Sequence, residues 1–109
     1  MQTVSTITVH TLKEWLISEK PFTLLDVRTN EEIAFNHIPG VNKHIPMDEI
    51  PMRHQELDDN HPIVIYCHHG MRSMQVGLYL NHIGYDDIYN LQGGIHAWSQ
   101  IIDPTIPSY

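Results

Sequence analysis

Residues 62–84 read PIVIYCHHGMRSMQVGLYLNHIG, and this stretch contains the single cysteine of the chain, Cys67. The run 62–66 is continuous and rich in β-branched residues, which is typical of a strand covered on both faces of a parallel sheet. Apolar residues then recur through 73–84, and Gly84 is placed to end a helix there. The stretch therefore predicts a strand, a short loop and a helix, with Cys67 at the carboxyl end of the strand.

Strands and helices alternate on both sides of this unit. The pattern predicts further strands at 22–27, 42–46 and 87–91, and helices at about 9–19, 29–35, 47–57 and 93–102. Such alternation is typical of βαβ units, so we expect an α/β fold with a parallel sheet, formed as one domain by residues 1–109. Ligands of such sheets bind at the carboxyl ends of the strands, where Cys67 lies.

Two helix starts and one helix end carry local signals. Thr8 fits the N-cap of the first helix, and the TNEE segment at 29–32 has the form of a capping box that includes Glu32. The second helix should stop at Asn36, a residue that tolerates the left-handed conformation.

The composition limits the class of function. The chain has 109 residues, a formal net charge of −7 and no cluster of Lys and Arg, which excludes nucleic acid or an anionic membrane surface as the main partner. The first residues lack the pattern of a signal peptide, and no apolar run approaches the length of a membrane span. We therefore expect a cytoplasmic protein in which the lone thiol stays reduced.

The nine histidines are scattered along the chain. Apart from the adjacent pair His68 and His69, none is arranged with a spacing familiar from zinc sites. We therefore expect neither a metal site nor a cofactor.

The loop after the strand has the features of an anion-binding loop. Several N–H groups of the loop and of the first helical turn lack backbone acceptors, and the helix dipole favours a negative charge there. Gly70 allows the chain to curl tightly, and Arg72 is placed to close the ring with a fixed positive charge. These features predict a lowered pKa and a nucleophilic thiolate for Cys67. The alternative for any isolated cysteine is a small buried apolar residue.

Six segments, taken in order, carry a family resemblance across nearly the whole chain. They are LLDVR (24–28), HIPGV (37–41), IPMDEI (45–50), IVIYCHHGMRS (63–73), GYDDIYNLQGGIHAW (84–98) and DPTIPSY (103–109). The chain resembles the rhodanese-like family of single-domain sulfurtransferases. The resemblance implies a three-layer α/β/α fold with about five parallel strands and an active loop of the form C-x-x-x-x-R, from Cys67 to Arg72. Asn36 and Val41 depart from the glycine and alanine usual in the family.

Each candidate site residue has an expected role. Cys67 is the catalytic nucleophile, and the residues expected to bind substrate are His68, His69, Gly70, Met71, Arg72, Ser73 and Arg28. Asp26 is expected to form a buried structural ion pair or hydrogen bonds, and His37 to fix its turn. For His68 and His69, three roles stay open: raising the positive potential, gating the pocket, or simple solvent exposure.

The expected function is transfer of sulfane sulfur from thiosulfate or another persulfide donor, through a Cys67 persulfide, to cyanide, a small thiol or a protein thiol. One alternative is a non-catalytic or partner-dependent sulfur carrier or binding module. Another is a cysteine phosphatase or arsenate reductase, but the related phosphatases have five residues between cysteine and arginine, and this chain has four.

Overall fold

The computed structural model describes residues 4–109, and its centre is a five-stranded parallel sheet. The strands are β1 (Ser5–Ile7), β2 (Thr23–Asp26), β3 (Lys43–His44), β4 (Ile63–Tyr66) and β5 (Ile88–Leu91). The α-helices are α1 (Val9–Ile17), α2 (Asn30–Phe35), α3 (Ile50–Arg53), α4 (Met71–His82) and α5 (Gly94–Ala97), and a π-helical turn (Trp98–Ile102) continues α5. The α/β fold with about five parallel strands is confirmed.

The sheet has the strand order β1-β5-β4-β2-β3. The central strand β4 pairs with β2 in a register that sets Tyr66 opposite Asp26. These two strands therefore end side by side, so the chain segments that follow them emerge at the same edge of the sheet. This register positions the candidate site.

Both faces of β4 are covered. Ile63 and Ile65 point to a core that includes Val76 and Leu80 of α4. On the other face Val64 and Tyr66 join a second core, built with residues of β1, β2, β5, α1, α5 and the C-terminal segment. Residues 63–66 are all buried, which explains why the strand has no polar face.

The predicted N-terminal caps of the first two helices are confirmed. The Thr8 side chain accepts a hydrogen bond from the Thr11 N–H at 3.2 Å. Thr29 and Glu32 form the complete capping box at the start of α2. Among the helices of residues 4–109, none combines the length and the apolar character that a membrane span requires.

The fold differs from the sequence prediction in three places. Strand β1 was not predicted, because it is only three residues long and Ser5 and Thr6 are exposed at the sheet edge. Helix α2 ends at Asn36 as expected, but Asn36 is extended (φ −155°) and not left-handed. Its side chain and carbonyl are bonded to Arg28, which holds this extended conformation. Helix α4 begins at Met71, one or two residues before the expected start near Arg72 or Ser73.

Candidate active site

Cys67 follows β4 directly, and its sulfur lies inside a ring of hydrogen-bond donors. The N–H of Gly70 donates to Sγ at 3.1 Å, and the N–H of Ser73 does so at 3.4 Å. The Ser73 hydroxyl lies 3.3 Å from Sγ. Only 1% of the Cys67 surface is exposed. The thiol is therefore enclosed by the loop rather than displayed on the surface.

Asn90 of β5 holds the loop in this shape. Its Nδ2 donates to the Gly70 carbonyl at 3.1 Å, and its Oδ1 accepts from the Ser73 hydroxyl at 2.5 Å. Gly70 itself has φ +111°, a conformation that favours glycine. The neighbouring strand therefore fixes the two residues whose amides point at Sγ.

The surroundings lower the pKa of the Cys67 thiol below its ordinary value. Burial alone raises the pKa of this thiol, because it disfavours the charged form. Hydrogen bonds from the Ser73 hydroxyl and from the amides of Ser73, Gly70 and Arg72 outweigh burial. The Ser73 hydroxyl has one proton, which it donates either to Asn90 or, once the thiol has ionised, to Sγ.

Helix α5 closes the loop from the other side. The N–H groups of Ile95 and His96 donate to the carbonyls of Cys67 and His68 at 2.9 and 3.0 Å. Gly94 makes this contact possible, because a Cβ there would lie 2.4 Å from the His68 carbonyl oxygen and 2.5 Å from that of Cys67. The loop is therefore held by α5 as well as by β5.

Arg72 contributes two different groups to the site. Its backbone N–H faces Cys67 and favours the thiolate. Its guanidinium forms a bidentate ion pair with Glu32, with Nη1–Oε1 at 2.7 Å and Nη2–Oε2 at 2.9 Å. This pair raises the pKa of Arg72 and places the pKa of Glu32 well below the usual carboxyl range. The expected positive charge is present, but Glu32 compensates it.

Arg28 does not have the geometry of a substrate-binding residue. It is fully buried and forms an ion pair with Asp26 at 2.7 Å. Its remaining N–H groups donate to the Oδ1 and carbonyl oxygen of Asn36 and to the Tyr109 hydroxyl. All five guanidinium donors are thus used within the protein, which leaves none free to bind a substrate in this conformation.

His37 lies in the turn that follows α2. Its side chain is exposed, and within residues 4–109 the imidazole makes no hydrogen bond. The turn is held instead by the backbone bond from the Val41 N–H to the Ile38 carbonyl at 3.0 Å.

A pocket of about 390 Å³ opens above the loop, lined by Cys67, His68, His69, Met71, Arg72 and Gln75. His69 and Met71 are exposed, whereas His68 is half-buried under Tyr109. The pKa of His68 is lowered, first by burial and then by the neighbouring His69 and His96. The sequence-predicted loop residues therefore do surround one opening.

Sequence reasoning missed two residues of the site and assigned only part of the role of a third. Glu32 was recognised as a capping residue but not as the partner of Arg72. Asn90 is a polar residue within the predicted strand 87–91. A polar side chain in a buried strand needs a hydrogen-bond partner, and this could have indicated a role at the site. Tyr109, whose hydroxyl donates to Glu32 at 2.6 Å, gave no signal, because only the folded chain brings it to the loop.

A family model described as the Rhodanese-like domain matches residues 8–101. The chain therefore belongs to the rhodanese-like family. The crystal structure of a rhodanese-like domain protein from Staphylococcus aureus superposes with a TM-score of 0.79 at 38% identity, covering 100% of this chain and 99% of that one.

Three curated relatives carry names related to sulfur. A protein named Sulfurtransferase from Allochromatium vinosum is 39% identical over 97 residues, which is 89% of this chain and 90% of that protein. Putative sulfur carrier protein YrkF of Bacillus subtilis is 36% identical over 85% of this chain and 50% of its own length. Thiosulfate sulfurtransferase GlpE of Tolumonas auensis is 31% identical over 72% of this chain and 73% of its own length. Together these names support a role in sulfur transfer in general.

Proposed function

We propose that the chain is a sulfurtransferase in which Cys67 carries the transferred sulfur as a persulfide. The observation that carries the proposal is the ring of donors around Sγ: the amides of Gly70 and Ser73 and the Ser73 hydroxyl all lie within 3.4 Å of it. Preorganised donors of this kind stabilise a negative charge on the nucleophile. The same loop is then suited to hold the terminal anionic sulfur of a persulfide.

The reaction takes place in two displacements. The Cys67 thiolate attacks the outer sulfur of thiosulfate, a new S–S bond forms, and the original S–S bond breaks with its electron pair leaving on sulfite. The enzyme then holds Cys67-S-S⁻. A thiophile such as cyanide attacks the terminal sulfur, leaves as thiocyanate, and returns Cys67 to the thiolate. The chain has a single cysteine, so the acceptor of the sulfur is an external molecule.

The size of the loop favours sulfur transfer over phosphate chemistry. Four residues separate Cys67 from Arg72, one fewer than in the phosphatases considered above. A ring with one residue fewer is better suited to hold a single sulfur atom than the tetrahedral phosphate bound by the longer ring. We therefore expect negligible hydrolysis of an aryl phosphate.

The charge of the site favours a second candidate, a carrier that receives its sulfur from a persulfide donor. Glu32 compensates the guanidinium of Arg72, and the whole chain has a net charge of −7. Both features weaken the attraction of the thiosulfate dianion. A neutral or protein-bound persulfide does not face this repulsion.

Mass spectrometry after incubation with thiosulfate tests the proposal. The wild-type protein should gain the mass of one sulfur atom on the peptide that contains Cys67, and cyanide should remove it as thiocyanate. Cys67→Ser is the matched control, because it keeps the size of the side chain but cannot form a persulfide. Thiocyanate production by Cys67→Ser would contradict the mechanism.

The two candidates differ in their preferred donor. A thiosulfate enzyme should form the persulfide rapidly with free thiosulfate, whereas a carrier should do so slowly with thiosulfate and rapidly with a persulfide of no net charge, such as that of cysteamine. The ratio of the two loading rates, measured on the same wild-type protein, separates them.

A further inference from the structure

Three histidines lie close together beside the pocket, which two of them, His68 and His69, line. One ring nitrogen each of His68, His69 and His96 can be chosen so that all three atoms lie within 4.8 Å of one another. The ring centroids of His68 and His69 are 4.1 Å apart, and those of His69 and His96 are 4.8 Å apart. Imidazole nitrogens that converge in this way are the common ligands of zinc and related metals.

The fold creates this cluster from distant parts of the chain. His96 lies on α5, and its backbone N–H is bonded to the carbonyl of His68. The close approach of α5 depends on Gly94, where no side chain fits beside that carbonyl. Spacing along the sequence therefore indicates only the adjacent pair, and the third histidine comes from tertiary packing.

The three imidazole rings lie close together, but their nitrogens have no hydrogen-bond partner among the described residues. Within residues 4–109 their ring nitrogens make no hydrogen bond to protein, whereas His44 is bonded to the Arg28 carbonyl and His54 to the Tyr85 hydroxyl. Tyr109 stacks on His68 at 3.9 Å with an interplanar angle of 10° and limits the movement of that ring. The nitrogens of the cluster are therefore available to a ligand.

We propose that His68, His69 and His96 form a binding site for a divalent transition metal that prefers imidazole ligands, with Zn²⁺ as the expected occupant. Zinc–nitrogen bonds of about 2.0–2.1 Å in a tetrahedron set the nitrogens roughly 3.4 Å apart. The widest separation here is 4.8 Å, so the rings must close by roughly 1 Å when the metal binds. Three protein ligands leave a fourth position open.

The proposal goes beyond sulfur transfer and does not depend on it. Two of the three histidines, His68 and His69, line the pocket that Cys67 also lines. Because a thiolate is itself a good zinc ligand, the test is made with the Cys67→Ser protein, in which any ion at the pocket must be held by other groups.

Calorimetric titration of the Cys67→Ser protein with Zn²⁺ near neutral pH is the first measurement. We expect saturable binding of one ion per chain. Adding His69→Ala or His96→Ala should weaken binding at least roughly 10-fold, because loss of a direct ligand should cost no less than loss of a supporting contact. His82→Ala is the matched control, since it removes an exposed imidazole elsewhere and should leave binding unchanged.

Titration with Co²⁺ adds a readout of coordination, because its visible absorption distinguishes four-coordinate from six-coordinate sites. We expect the stronger four-coordinate bands, lost in His69→Ala. His69 is exposed, so this variant should fold even if His96→Ala lowers stability. Absence of saturable Zn²⁺ binding, or binding that is unchanged in His69→Ala, would overturn the proposal.

Discussion

Arg28 and Arg72 follow neighbouring parallel strands and reach the same edge of the sheet, yet their surroundings differ. Arg28 is fully buried, and every N–H of its guanidinium has a partner within the protein. Arg72 is 35% exposed, and its side-chain hydrogen bonds go to one residue, Glu32. Position at the carboxyl end of a strand therefore does not by itself make an arginine part of the site; the number of buried partners distinguishes the structural residue.

The largest expected difference between the two arginines is in stability. Arg28→Met leaves Asp26 buried without its counter-charge, which should lower the free energy of unfolding by about 3–5 kcal/mol. Arg72→Met breaks a partly exposed pair and should cost less than about 1 kcal/mol. Urea unfolding of the two variants beside the wild type measures both effects. Equal losses would contradict the assignment of Arg28 as the structural arginine.

The second expected effect is on the reactivity of Cys67, which lies in the loop that leads to Arg72. Because the loop lowers the pKa of the thiol, alkylation by iodoacetamide should stay fast below the free-cysteine pKa of about 8.5 and slow only as the pH falls through the lowered pKa. Ser73→Ala removes a hydrogen bond to the thiolate and should raise the midpoint by about one unit.

Arg72 should matter less to this midpoint than Ser73. Arg72→Ala should raise the midpoint by a smaller amount, because Glu32 already compensates the charge of the guanidinium. Arg72→Lys should restore part of that change. A wild-type midpoint at or above the free-cysteine value would mean that the loop does not stabilise the anion.

The smallest effect on stability is expected from Tyr109, which links Arg28 to Glu32, the partner of Arg72. The Tyr109 hydroxyl accepts from Arg28 at 3.0 Å and donates to Glu32 at 2.6 Å. Tyr109→Phe removes both bonds and keeps the ring that stacks on His68, so the free energy of unfolding should fall by less than about 1 kcal/mol. Thermal unfolding at equal protein concentration tests this. A loss as large as that of Arg28→Met would mean that the tail, and not Asp26, holds Arg28 in place.

The sequence predicted the parts of the molecule that depend on local pattern. The buried strand before Cys67, the loop, the capping box and the alternation of strands and helices all follow from residues near one another in the chain. The sequence did not reveal contacts that depend on tertiary packing: Glu32 with Arg72, Asn90 with the loop, and the C-terminal Tyr109 with Arg28 and Glu32. The bonding of Arg28 could not be foreseen for the same reason, because its partners Asn36 and Tyr109 reach it only in the folded chain.

The bonds from α5 to the loop have a consequence for the order of folding. The carbonyls of Cys67 and His68 are held by amides of residues 95 and 96, which leave the ribosome after the loop itself, since synthesis proceeds from the N-terminus. A nascent chain that ends before Gly94 therefore lacks the two amides that hold these carbonyls. We expect the loop to reach its final shape only when this last helix has docked. The rate of alkylation near neutral pH should then rise as folding is completed.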